Sequence, residues 1–95
     1  MSRAAVAAAI TMDSPPTQRL ILVTRADCEL CERLRDELAV LRERFPIPAV
    51  DLVDVDADPL LARRWGLKVP VLLLDGALVC GPRLDAPELL RLLRL

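Results

Sequence analysis

Residues Arg19 to Cys31 read RLILVTRADCELC, and this stretch decides the fold. Arg19 to Thr24 (RLILVT) is a short run of leucine and β-branched residues, which predicts a buried strand. Arg25-Ala26-Asp27 predicts a loop, with Asp27 placed to cap the helix that follows. From Cys28 to Phe45 the apolar residues stand at Leu30, Leu34, Leu38, Leu41 and Phe45, one helical face with Glu and Arg filling the opposite side. Two cysteines, Cys28 and Cys31, therefore open a helix directly after a strand.

Outward from this unit the pattern stays regular. Pro46 and Pro48 end the first helix, and a second strand is predicted from Ala49 to Val55. Asp58 supplies a cap, Pro59 suits the first helical turn, and Gly66 suits the stop, giving a short helix from Pro59 to Trp65. Val69 to Leu74 is continuously apolar and predicts a strand buried on both faces. Asp75-Gly76 is a two-residue hairpin signal, so Ala77 to Gly81 should return antiparallel. A last helix begins at Asp85, where Asp85 and Glu88 stand in a capping-box relation, and Leu89, Leu90, Leu92 and Leu93 pack it onto the sheet. The order is βαβαββα. A right-handed parallel βαβ unit followed by a hairpin gives an α/β fold, a four-stranded mixed sheet with helices on both faces.

Length and composition bound what such a domain does. Ninety-five residues support one domain, expected over 18–95, after an N-terminal tail over 1–17 expected to be disordered. That tail begins MSRAAVAAAI, too poor in Leu and Phe for a signal peptide, and Met12 is an alternative start. Hydrophobic residues make up 54% but aromatic residues only 2%, so the core must be aliphatic. Thirteen basic against fourteen acidic residues leave a net charge of −1, no footprint for nucleic acid or anionic membrane. No apolar run approaches the roughly eighteen residues needed to span a bilayer. A cytoplasmic monomer is expected. The absence of His excludes imidazole catalysis and His metal sites, and the three cysteines make sulfur the leading chemistry.

Residues three apart on a helix have Cβ atoms about 5–6 Å apart, and a disulfide needs roughly 3.5–4.5 Å. Small adjustments therefore close and reopen a Cys28–Cys31 bond. At a helix N-terminus, free N–H groups and the macrodipole stabilise an anion by about 0.3–1 kcal/mol, up to ~2. That lowers a thiol from its ordinary ~8.5 by about one unit. Asp27 and Glu29 oppose ionisation and Arg25 favours it, so the Cys28 thiol is expected to be depressed, though not strongly. Cys28 is then the attacking thiolate and Cys31, less accessible, the resolving thiol. A structural zinc site would need a second CxxC or a His pair; only Cys80 remains, and no metal is expected. Cys80 itself is expected to be a small buried hydrophobe. The spacing of Asp51, Asp54, Asp56 and Asp58 matches no calcium loop, and Trp65 is expected to pack the second helix.

Three separated pieces, TRADCELC, RWGLKVPVLLL and the Asp75-Gly76 hairpin leading into CGPRLD, resemble a small bacterial glutaredoxin-like protein of the thioredoxin superfamily. The resemblance covers about residues 18 to 95 and implies a thioredoxin-like fold. It implies that Pro70, facing the dithiol, is cis, presenting the Val69 backbone to an extended substrate. It also implies that Arg25, Val69, Gly81 and Asp85 help bind glutathione. Arg25 would meet a carboxylate, and Asp85 with the last helix's N-terminus would meet the γ-glutamyl end. Glutaredoxins usually carry Pro-Tyr between the cysteines and paired glycines later; here these are Glu29-Leu30 and Gly81-Pro82, and Pro82 removes an N–H donor. These departures bear on glutathione binding and leave dithiol exchange untouched.

The function implied is thiol–disulfide exchange on a disulfide-containing protein or a glutathione mixed disulfide. No cofactor is bound, glutathione is a possible co-substrate, and glutathione or a thioredoxin-reductase-type system is the reductant. Two other readings stand beside it. One is a thioredoxin-fold binding module with little turnover; the other is a glutathione-dependent iron–sulfur carrier.

Overall fold

Side chains alternate in direction along a strand, so each residue of the continuously apolar central strands falls on one of two sheet faces, both buried, and the architecture follows from that division. In the computed structural model, which describes residues 18–95, the elements are β1 (Leu20–Thr24), α1 (Glu29–Arg44), β2 (Val50–Asp54), a 3-10 turn (Val55–Ala57), α2 (Pro59–Trp65), β3 (Val71–Leu74), β4 (Ala77–Cys80) and α3 (Ala86–Leu93). The tail expected over residues 1–17 lies outside the described residues. The sheet order is β2-β1-β3-β4, with β1 and β2 parallel and the remaining pairs antiparallel. This is the βαβαββα order with a mixed sheet, a thioredoxin-like fold.

Leu20 and Leu22 of β1 and Leu72 of β3 point to one face, where Leu34 and Leu38 of α1 and Leu89 and Leu93 of α3 close over them. Val23, Val71 and Leu73 point to the other face and meet Val55 and Trp65 of the α2 side. Five of these leucines are wholly inaccessible, and each contributes about 1.5–3 kcal/mol through burial. With one Phe and one Trp in the chain, the interior is aliphatic as expected. The edge strands are short. β2 exposes Asp51 and Asp54, and β4 has only four residues, features that discourage pairing with another sheet.

The element boundaries depart from the sequence reading where side chains or backbone geometry intervene. β2 stops at Asp54, whose carboxylate accepts the Asp56 N–H at 2.9 Å and turns the chain. Val55 thus leaves the strand and enters the second core, fully buried. β3 begins at Val71, because Pro70 has no N–H for a ladder. Gly66 ends α2 as expected, in a right-handed conformation (φ −54°), and its N–H donates to the Ala62 carbonyl. Asp85 caps α3 by accepting the Glu88 N–H at 3.1 Å. The reciprocal half of the capping box does not form, since the Glu88 carboxylate is held by Arg91 at 2.7 Å. Leu30, assigned to the core face by its spacing, is 47% exposed, and Cys31 takes its place among the buried residues of α1.

Candidate active site

Asp27 was the expected cap of α1, but Cys28 occupies that position. Asp27 takes up the left-handed turn, φ 55°, a conformation aspartate tolerates better than most residues. Cys28 is extended (φ −114°, ψ 107°), and its Sγ accepts the Cys31 N–H at 3.2 Å, as a serine hydroxyl does in an ordinary cap. The Cys28 carbonyl accepts the Glu32 N–H at 3.1 Å, beginning the helix. Cys28 and Cys31 are joined by a disulfide with a Cα–Cα separation of 5.2 Å. Cys28 is half-buried and Cys31 is 3% exposed, the asymmetry expected of an attacking and a resolving sulfur.

The other residues singled out from sequence fall into separate places. Pro70 is buried and the Val69–Pro70 bond is cis. Among the described residues, neither the N–H nor the carbonyl of Val69 makes a backbone hydrogen bond. Gly81 lies hard against this segment: a Cβ there would collide with the Pro70 carbonyl oxygen and come within 3.0 Å of the Val71 Cα. Val69 and Gly81 share one groove with Leu30, Leu67, Lys68, Leu78 and Pro82, a space of about 370 Å³.

Arg25 lies elsewhere. With Cys31, Asp27, Glu32, Arg35 and Asp54 it lines a second, polar cleft of about 290 Å³. Its guanidinium grips Asp56 through Nε at 2.9 Å and Nη2 at 3.1 Å, while Nη1 donates to the Gly66 carbonyl at 2.9 Å. That hydrogen-bonded pair holds the Asp56 carboxyl below the usual carboxylate range and pushes Arg25 up. The cation expected beside the thiol is thus matched by a carboxylate of its own. Asp85 also stands outside the groove, occupied as the α3 cap.

Cys80, expected to be buried, is half-buried and packs against the first core. Burial pushes its thiol up, opposed in part by the Asp85 N–H. Trp65 packs into the second core as expected. Sequence reasoning missed Leu67, Lys68 and Leu78 as groove residues. The available signal was their position: Leu67 and Lys68 follow the glycine that ends α2, and Leu78 lies on an edge strand. Among the described residues no cluster of three or more His, Cys, Asp or Glu side chains is arranged to hold a metal. None of their helices is long and apolar enough to cross a membrane.

Comparison with known proteins agrees with this geometry. The model of a glutaredoxin-like domain (DUF836) matches residues 19–94. Uncharacterized proteins of Mycobacterium tuberculosis (Rv0508) and Mycobacterium bovis (Mb0520) are each 42% identical over 60 residues, 58% of this chain. The match spans only 61% of their length. The solution structure of protein Ne2328 from Nitrosomonas europaea superposes with a TM-score of 0.68 at 25% identity, covering 82% of this chain and 94% of that one. The crystal structure of XcR50 from X. campestris gives 0.62 at 37% identity, covering 79% and 95% respectively.

Proposed function

Because the chain belongs to the glutaredoxin-like domain family (DUF836) and pairs a half-buried cysteine with a buried one at a helix N-terminus, we propose that it is a thiol–disulfide oxidoreductase. The observation that carries this reading is the hydrogen bond from the Cys31 N–H to the Cys28 Sγ. In the reduced protein the same donor, with the helix N-terminus behind it, favours a thiolate on Cys28.

The exchange runs in two displacements. The Cys28 thiolate attacks one sulfur of a substrate disulfide, forming a mixed disulfide, and the other substrate sulfur leaves as a thiolate and takes a proton. The Cys31 thiol then loses its proton and attacks the Cys28 Sγ; the Cys28–Cys31 bond forms and the second substrate thiolate departs. Two electrons have passed to the substrate, and a thiol reductant such as glutathione, or a reductase of the thioredoxin type, must return them. The polar cleft against Cys31 gives its proton a route to water. The unpaired Val69 backbone, beside the groove, suits an extended substrate pairing there like an added strand.

Substitution of each cysteine tests the scheme. Cys28→Ser should abolish reduction of a disulfide substrate, and Cys31→Ser should accumulate a covalent mixed disulfide that excess thiol releases. Full activity in Cys28→Ser protein would overturn the assignment.

A further inference from the structure

The groove beside the dithiol has a composition that selects among disulfides. Leu30, Leu67 and Leu78 line it and are 47%, 103% and 55% exposed. Single exposed leucines are ordinary, but three around one concave surface mark a place where apolar groups bind. Val69 and Pro82 extend the same apolar lining, and no carboxylate contributes to it. Its charged member is Lys68, the chain's one lysine, and Arg63 and Arg64 precede it in the last turn of α2. None of these three cations forms a salt bridge among the described residues. The groove is therefore lined chiefly by apolar side chains, with the single cation Lys68 among them.

Such a surface suits one class of disulfide better than the other. Glutathione surrounds its sulfur with two carboxylates and an ammonium group, and holding it calls for both cationic and anionic partners. Here Arg25 is clasped by Asp56 in the other cleft, Asp85 is engaged as a helix cap, and Pro82 offers no N–H. We propose that the groove takes an extended protein segment whose disulfide cysteine is flanked by apolar side chains and, within a few residues, by a carboxylate. This selectivity rests on the thiol–disulfide reading above. Apolar side chains of the segment would cover Leu30, Leu67 and Leu78, and its carboxylate would lie against Lys68 and the end of α2.

The experiment uses the full-length reduced protein and single-cysteine peptides carrying 5-thio-2-nitrobenzoate in disulfide linkage. Attack by Cys28 on the peptide sulfur releases the coloured thiolate, so the rate is read directly. Four substrates share this leaving group: an apolar–acidic peptide, its apolar–basic counterpart, a polar–acidic peptide and glutathione. The apolar–acidic peptide should react about two- to fivefold faster than the basic one, the scale of exposed charge pairs. It should outpace the polar peptide and glutathione by about tenfold, the scale of burying part of one leucine. Lys68→Glu should erase or invert the charge preference, with Lys68→Gln intermediate, and Leu67→Ser should shrink the apolar preference. Both positions are exposed, and circular dichroism verifies that the variants are folded. Equal rates for all four substrates, or glutathione fastest, would overturn the groove assignment and leave the dithiol chemistry standing. Absence of Cys28-dependent release from every substrate would remove the oxidoreductase reading, and the selectivity with it.

Discussion

Gly81→Ala puts a methyl group where the chain has no room for one. The added Cβ would collide with the Pro70 carbonyl oxygen and lie 3.0 Å from the Val71 Cα and 3.2 Å from its Cγ1. Two of those three neighbours are backbone atoms, so no rotamer change relieves the overlap and the strand must shift. Gly76 provides the control. Its φ is +88°, yet nothing lies within 4 Å of its virtual Cβ. Gly76→Ala therefore carries only the conformational penalty of a left-handed residue, about 1–2 kcal/mol. At Gly81, φ is +157°, the margin of the positive region, so the penalty lies chiefly in the contact. Overpacking costs about 1–3 kcal/mol, and because backbone resists displacement more than side chains do, the upper end applies. A domain of this size has roughly 4–12 kcal/mol of stability in all. Urea denaturation of the oxidised protein, followed by the fluorescence of Trp65, measures both variants, since this is the chain's one tryptophan and is 7% exposed. With a slope of about 1 kcal/mol per molar urea, Gly81→Ala should lower the midpoint by about 3 M and Gly76→Ala by about 1–2 M. A Gly81→Ala midpoint no lower than that of Gly76→Ala would show that the close approach to Pro70 is absent.

Two further outcomes follow from groups near the site. Burial pushes the Cys80 thiol up, so alkylation of Cys80 in the oxidised protein should have its pH midpoint above that of an ordinary thiol. A midpoint at or below the ordinary value would refute this. Because the unfolded thiol ionises first, the stability linked to Cys80 is whole below the unfolded pKa and is lost as pH rises through the folded one. Asp85→Ala removes the acceptor of the Glu88 N–H and should cost about 1 kcal/mol of unfolding free energy, with Asp85→Asn restoring most of it; an unchanged urea midpoint would show that the cap contributes nothing.

The fold was legible because its signals are local. The spacing of Leu34 and Leu38, the Asp75-Gly76 turn and the apolar run through Val71 to Leu73 each specify an element without reference to distant residues. The dithiol was legible for the same reason, as Cys28 and Cys31 are one helical turn apart. What escaped depends on tertiary encounters. Arg25 meets Asp56 across 31 positions of sequence, and no local pattern distinguishes that partner from a substrate carboxylate. Asp27 is the residue type that caps a helix, but it takes the left-handed turn and the cap falls to Cys28, which local sequence does not single out. Leu30 has the spacing of a core residue, yet it lies so near the start of α1 that the sheet no longer covers it. Gly81 is fixed by the backbone of a neighbouring segment, a contact to which glycine itself gives no clue.

The interior is divided unequally between the two sides of the sheet. Below it, α1 and α3 close over a large leucine cluster, whereas the two turns of α2 bring Trp65 and Leu61 to a smaller cluster with Val23, Val55, Val71 and Leu73. The sulfurs thus hang from the firmer half, and Leu67 and Lys68 from the thinner one. Local opening is easiest where few apolar contacts must be given up. In the exchange reaction proposed above, such a surface would set a stiff jaw carrying the sulfurs against a yielding one that admits guest side chains of different bulk.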